Sequence, residues 1–90
     1  MMDRAVGLLE TKGLSGLVVA TDAMAKSAHI EVVKRVGIGD GLVTTVIYGD
    51  IGSVRTAIDV GIVASQKVGE LVGSHVIPRP TAEVVKAFLS

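Results

Sequence analysis

The segment Gly37-Ile38-Gly39-Asp40-Gly41 stands between two runs rich in β-branched residues, Ile30 to Val36 before it and Leu42 to Tyr48 after it. A glycine-rich phosphate loop needs a helix N-terminus behind it to aim backbone amides at the anion. Here the following residues are Leu42, Val43, Thr44, Thr45, Val46, Ile47 and Tyr48, a composition that favours an extended strand. The loop is therefore read as the connection of a β-hairpin, with one carboxylate at its tip. A tight turn needs only one or two positive φ values. Three glycines exceed that need and point to close approach of the backbone to something else, a symmetry copy included.

The rest of the chain supplies partners for this hairpin. Arg4 to Thr11 reads as a first strand, broken by Lys12-Gly13. Leu14 to Ala28 has helical spacing: Leu17, Thr21, Met24 and Ala28 form a stripe, Val18 and Ala25 lie beside it, and Ser15 is the expected N-cap. Ile51 to Val68 repeats the pattern with Val54, Ala57, Ile58, Gly61, Ile62, Ser65 and Val68, capped by Asp50 and closed by Gly69. Leu71 to Ile77 reads as a last strand, ended by Pro78-Arg79-Pro80, and Thr81 is placed to cap a short final helix. The order strand, helix, strand, strand, helix, strand predicts an α+β, ferredoxin-like βαββαβ fold. Four antiparallel strands would carry two helices on one face, with a short C-terminal helix appended. Residues 1–90 are read as one domain.

Ninety residues bury only about 60–65% of their unfolded surface. Yet 49% of the residues are hydrophobic, the mean hydropathy is +0.59, and Tyr48 and Phe88 are the aromatic residues. More apolar surface exists than one small core can hide, which predicts a homo-oligomer. Nine basic and nine acidic residues balance, so a nucleic-acid binder, which concentrates base on one face, is not expected. The absence of cysteine excludes disulfides and thiolate metal sites. No long uncharged apolar run and no leader pattern is seen, so the chain reads as cytoplasmic, without a membrane partner.

Catalytic constellations are not found. His29 and His75 lie on separate elements without a second ligand at metal spacing, so no metal or cofactor is expected. Ser53, Ser65 and Ser74 have no histidine–acid partners nearby in sequence, and no paired carboxylates are set for acid–base work. The chain does not read as an enzyme. Asp22 and Lys26, four apart with the acid first, read by spacing as an exposed helix pair.

Five segments in one order carry a resemblance. Gly7-Leu8-Leu9-Glu10-Thr11-Lys12-Gly13-Leu14, Asp22 to Ala28, Gly39-Asp40-Gly41-Leu42-Val43-Thr44, Gly49 to Val54, and Ser74-His75-Val76-Ile77-Pro78-Arg79-Pro80 resemble the bacterial microcompartment shell proteins of the BMC-domain family. The likeness is to the single-domain, hexamer-forming kind. It implies a homohexameric tile in a cytoplasmic shell, packed against neighbouring hexamers and other shell proteins and enclosing enzymes recruited through targeting helices. By the same resemblance, Ile38, Gly39, Asp40 and Gly41 would line a central pore for small metabolites. Lys26, His29 and Arg79 would lie at the tile edge. Val84, Val85, Phe88 and Leu89 of the last helix would offer a surface to cargo. Asp40 stands where the family's pore tip usually carries a small neutral residue, and His29 where close relatives often carry Asn. A ring of Asp40 carboxylates would favour neutral or cationic solutes over anions. The alternative reading is a ferredoxin-like oligomeric regulator binding a nucleotide or small metabolite. It would need Lys34 and Arg35 to converge near the glycine loop.

Overall fold

The computed structural model describes residues 4–37 and 39–89. Strand β1 (Arg4–Lys12) leads to helix α1 (Leu14–Ser27), the hairpin β2 (Glu31–Gly37) and β3 (Leu42–Asp50), helix α2 (Ile51–Gln66), strand β4 (Glu70–Ile77) and helix α3 (Ala82–Leu89). The sheet order is β2-β3-β1-β4 and every pairing is antiparallel, which is the ferredoxin-like arrangement read from the sequence.

Strand alternation sends Ala5 and Leu9 of β1 and Ile47 of β3 to one face, where Leu17, Ala20 and Met24 of α1 and Val54, Ala57 and Ile58 of α2 meet them. Burying each of the larger side chains contributes about 1.5–3 kcal/mol relative to exposure. Two glycines set how closely this layer packs. A Cβ at Gly7 would stand 2.8 Å from Ile47 Cγ1 and 2.9 Å from Val54 Cγ1, and one at Gly61 would stand 2.8 Å from the Cγ and Sδ of Met24. The buried Thr45 hydroxyl is satisfied by Thr21 of α1 at 2.8 Å, and Ser65 donates to the Ile62 carbonyl at 2.9 Å.

Some expectations are corrected. Gly13, not Ser15, is the N-cap of α1, and no side chain caps that helix. Gly13 has φ 93, so the chain enters α1 through a left-handed glycine, and Ser15 is exposed in the first turn. The inner stripe of α1 uses Gly16 and Ala20 rather than Val18 and Ala25, both exposed. Helix α2 stops at Gln66, and Val68 is exposed beyond it. Lys67 is the C-cap; Gly69 N–H bonds the Ser65 carbonyl at 2.9 Å without a positive φ. Asp50 caps α2 as expected, accepting 2.9 Å and 2.8 Å hydrogen bonds from the amide and hydroxyl of Ser53. Thr81 Oγ1 accepts from the Val84 amide at 3.3 Å.

Both edge strands are irregular. The register shift between Val32 and Lys34 leaves Val33 as an extra residue on β2, and that between Glu10 and Thr11 leaves Val72 extra on β4. Bulges at edges discourage the addition of further strands. Apolar side chains nonetheless remain exposed along both margins, Leu14, Val18, Val32 and Val36 on the α1–β2 side and Val68 and Val72 on the α2–β4 side, while Val63 is exposed between α1 and α2.

Candidate functional site

The hairpin loop is built by backbone conformation. Gly39, Asp40 and Gly41 have φ values of 91, 55 and 75, and the Leu42 amide donates to the Gly39 carbonyl at 2.9 Å. Positive φ at both central residues with that closing bond is the pattern of a type I′ turn, whose twist suits a hairpin. Gly41 is thus needed by the turn itself, and Gly39, which opens the turn, has a positive φ of its own. Asp is among the few side chains that tolerate the left-handed region, and Asp40 is the one non-glycine residue with positive φ among those described. Gly37 is not explained this way: its φ is not positive, and the nearest atom to a Cβ there would be Val43 Cγ1 at 3.9 Å. Ile38, expected in the same lining, lies outside the described residues.

The loop is anchored from the end of the neighbouring strand β1. The Gly13 amide donates to the Gly41 carbonyl at 2.7 Å, and Thr11 Oγ1 donates to the Gly13 carbonyl at 3.0 Å. Asp40 is exposed, and among the described residues its carboxylate has no hydrogen bond or ion pair. A negative charge is thus held out on a turn fixed at its base.

The expected edge residues lie elsewhere. Antiparallel pairing puts the start of β2, the end of β3, the start of β1 and the end of β4 at one end of the sheet, and the glycine loop at the other. Lys26 and His29 precede β2 and Arg79 follows β4, so all three belong to the end opposite the loop. Strands of this length separate the two ends by about 25–30 Å. Lys26 Nζ pairs with Asp22 Oδ2 at 2.9 Å, an exposed pair within one helix, and His29 and Arg79 are exposed. Val84 and Val85 of α3 are half-buried; the side chains of Phe88 and Leu89 lie outside the described residues.

Other site expectations separate equally clearly. Lys34 pairs with Val46 and Arg35 with Thr45, so their side chains point to opposite faces of the sheet and do not converge on the loop. Arg35 instead borders a shallow groove of about 370 Å³ with Leu14, Leu17, Val36, Gly37 and Val43, between α1 and the β2 edge. A second, more apolar depression of about 440 Å³ lies between α1 and α2, lined by Ala23, Asp59, Val60, Val63, Ala64 and Lys67. Among the described residues no three His, Asp or Glu side chains are grouped to hold a metal ion, and no helix is long and apolar enough to cross a membrane.

Reading the sequence missed Lys12, treated only as part of a strand break. Its stem lies beside the loop, with Cγ 3.9 Å from where a Cβ at Gly41 would stand. The signal available in sequence was a lysine at the start of the Lys12-Gly13 break. Nothing local connects it to residue 41.

Comparison with known proteins gives a consistent result. The family model of the BMC domain matches residues 5–80. The chain is 48% identical over 86 residues to the bacterial microcompartment shell protein PduA of Citrobacter freundii, covering 96% of this chain and 92% of that protein. It is 44% identical over 84 residues to the shell protein EutM of Salmonella typhimurium LT2, covering 93% and 88%, and 42% identical over 81 residues to the carboxysome shell protein CsoS1A of Hydrogenovibrio crunogenus, covering 89% and 84%. Among solved structures, a microcompartment protein from Desulfitobacterium hafniense DCB superposes with a TM-score of 0.84 at 21% identity, over 94% of this chain and 46% of that one. That likeness speaks to the fold, and this chain spans about half of that longer protein. The sequence matches speak to kinship: the chain belongs to the BMC-domain family of bacterial microcompartment shell proteins.

Proposed function

We propose that this chain is a structural tile of a bacterial microcompartment shell in the cytoplasm, in which six copies close into a ring around their glycine loops. The observation that carries this reading is the polarity of the molecule: a backbone-built loop with one free carboxylate at one end, and Lys26, His29 and Arg79 at the other. A functional tip at one end and charged side chains at the other are what a radial tile requires. The exposed apolar residues support the ring. Leu14, Val18, Val32 and Val36 lie on one margin and Val68 and Val72 on the other, and these are not the same patch, so a contact between copies would be head-to-tail, the kind that closes into rings. Bulged edge strands favour side-chain packing there over a continuous intermolecular sheet. Gly37, unexplained within one chain, fits a loop that approaches its symmetry copies.

Six Asp40 carboxylates would then surround the opening. Neighbouring charges on the order of 7 Å apart interact by about 0.6 kcal/mol in bulk water, and by more as water is excluded. Such a ring concentrates cations and repels anionic metabolites in a salt-dependent way. The pore of this tile passes neutral and cationic solutes in preference to carboxylates and phosphates. Asp40→Asn is the suitable test, because Asn also tolerates positive φ while losing the charge. Planar-bilayer measurements should show the cation-over-anion permeability ratio falling severalfold at low salt. An unchanged ratio would remove Asp40 from the conduction path. Electron microscopy provides the second test: Lys26→Asp should leave hexamers intact and abolish extended sheets, whereas dissociation to monomers would place Lys26 inside the ring.

The same reading makes α3 the surface offered to targeting helices of encapsulated enzymes, through apolar anchors such as Val84 and Val85. Replacing both with Ser should reduce enzyme loading while sheets still form. Full loading in that variant would move the docking surface elsewhere.

A further inference from the structure

Lys12 is the last residue of β1, and its neighbours tie it to the loop on two sides. Its Cα partner in β3 is Leu42, the residue that closes the loop's turn. The next residue, Gly13, holds the Gly41 carbonyl at 2.7 Å. The Lys12 stem runs alongside Gly41, its Cγ 3.9 Å from the Cβ position of that glycine, so a side chain at residue 41 would contact it. Gly41 follows Asp40 directly. The lysine stem is thereby placed against the residue that follows the loop's carboxylate, at the same end of the sheet. Across the other ladder Lys12 faces Glu70 of β4, but among the described residues the ammonium makes no ion pair or hydrogen bond. Its charge is not neutralised locally, and the residue is exposed.

We infer that Lys12 is a second selectivity-determining residue of the opening, forming a ring of positive charge set back from the Asp40 ring and offsetting part of its field. This rests on the reading of the glycine loop as the pore lining. Any symmetry that repeats Asp40 around an axis repeats Lys12 the same number of times, so the mouth carries as many fixed cations as fixed anions. The two charges occupy different positions along the path, which makes the opening bipolar. Far from the mouth the rings cancel, and a solute meets a nearly neutral entrance. Close to it, a cation is held at Asp40 and an anionic group at Lys12. The chemical class that gains from both is a small dipolar solute, with separated positive and negative ends. Simple anions are repelled less than an Asp40 ring alone would repel them.

The magnitude is readable. A single unit charge about 10 Å away through water changes the local concentration of a monovalent ion about twofold. Reversal potentials across a KCl gradient, at low and high salt, should therefore show Lys12→Gln raising the cation-over-anion permeability ratio about twofold or more. Asp40→Asn should lower the ratio, Lys12→Arg should retain the wild-type value, and the double variant should fall between the two single neutralisations. Arg55→Gln, which neutralises an exposed cation near the start of α2 at the opposite end of the sheet, should change nothing. If Lys12→Gln moves the ratio no more than Arg55→Gln while Asp40→Asn still lowers it, the Lys12 inference is overturned and the pore reading stands. If Asp40→Asn also has no effect on intact hexamers, the pore reading fails and the inference fails with it. Should Lys12→Gln not assemble alone, tiles mixed with wild-type subunits carry the same test. The ratio must rise with the variant fraction, and a flat response overturns the inference.

Discussion

At the loop end of the sheet, Gly13, Gly39, Asp40 and Gly41 all have positive φ, and the bonds that fix the loop join Gly13 to Gly41 and Leu42 to Gly39 through the backbone. At the opposite end several of the contacts are made by side chains. Asp50 caps α2 through Ser53, Lys26 pairs with Asp22, and the Arg4 guanidinium lies 4.9 Å over the centre of the Tyr48 ring. The difference separates two kinds of constraint. Where the backbone conformation holds the structure, residue types are restricted by φ, and the one side chain present is left without an internal task. Where side chains hold it, each can be exchanged at modest cost, and charged groups remain accessible for contacts between molecules. In the proposed tile, a tip that keeps its shape and a rim that adapts to neighbours would call for these two solutions.

The comparison can be broken most forcefully at Gly41. A β-branched residue there would be forced into the left-handed region at φ 75, beside the Lys12 stem, so Gly41→Val should destabilise the fold by about 2 kcal/mol or more in chemical denaturation. A cost near zero would mean that the loop can adopt another conformation, and that its backbone does not fix the tip.

Asp50→Ala should have a smaller effect, visible as a lower urea midpoint with an unchanged slope. The Ser53 amide and then its hydroxyl lower the Asp50 carboxyl below the ordinary carboxylate range. A lowered folded-state value means that the cap stabilises fully above the unfolded pKa, and that the stabilisation is lost as pH falls through the folded one. The stability difference between wild type and Asp50→Ala should therefore be constant near neutrality and shrink in acid. A difference that persists at the lowest pH would point to packing and not to the charged cap.

Lys26→Ala should have the smallest effect on folding, within about 0.5 kcal/mol, because the exposed Asp22 pair is solvated on both sides. If sheets are lost while stability holds, rim side chains serve contacts between molecules. A large loss of stability would erase the distinction between the two ends.

Much of this was legible in the residues. The strand runs on either side of the glycine loop, the Leu17 and Met24 stripe, the Val54, Ala57, Ile58 and Gly61 stripe, and the Asp50 cap all follow from local periodicity and hydrogen-bonding chemistry, and the structure keeps them. What failed did so for nonlocal reasons. Ser15 looked like a cap because the sequence does not show that Gly13 takes a positive φ to reach Gly41. Val18 and Ala25 were read as flanking the stripe, yet both are exposed, because periodicity gives a stripe but not its width. That width depends on how closely α2 approaches, and Gly61 against Met24 sets it.

The sequence by itself determined the fold class and the hairpin around Gly39-Asp40-Gly41, because alternating and helical patterns of Val, Ile, Leu and Ala are local properties of a chain, and it carried the family through the resemblance of five segments in one order. Only the tertiary structure decided which charges share an end of the molecule. It set Lys12 beside the loop and put Lys26, His29 and Arg79 at the far end, because antiparallel pairing returns distant residues to the same end of the sheet, and no local pattern encodes that return.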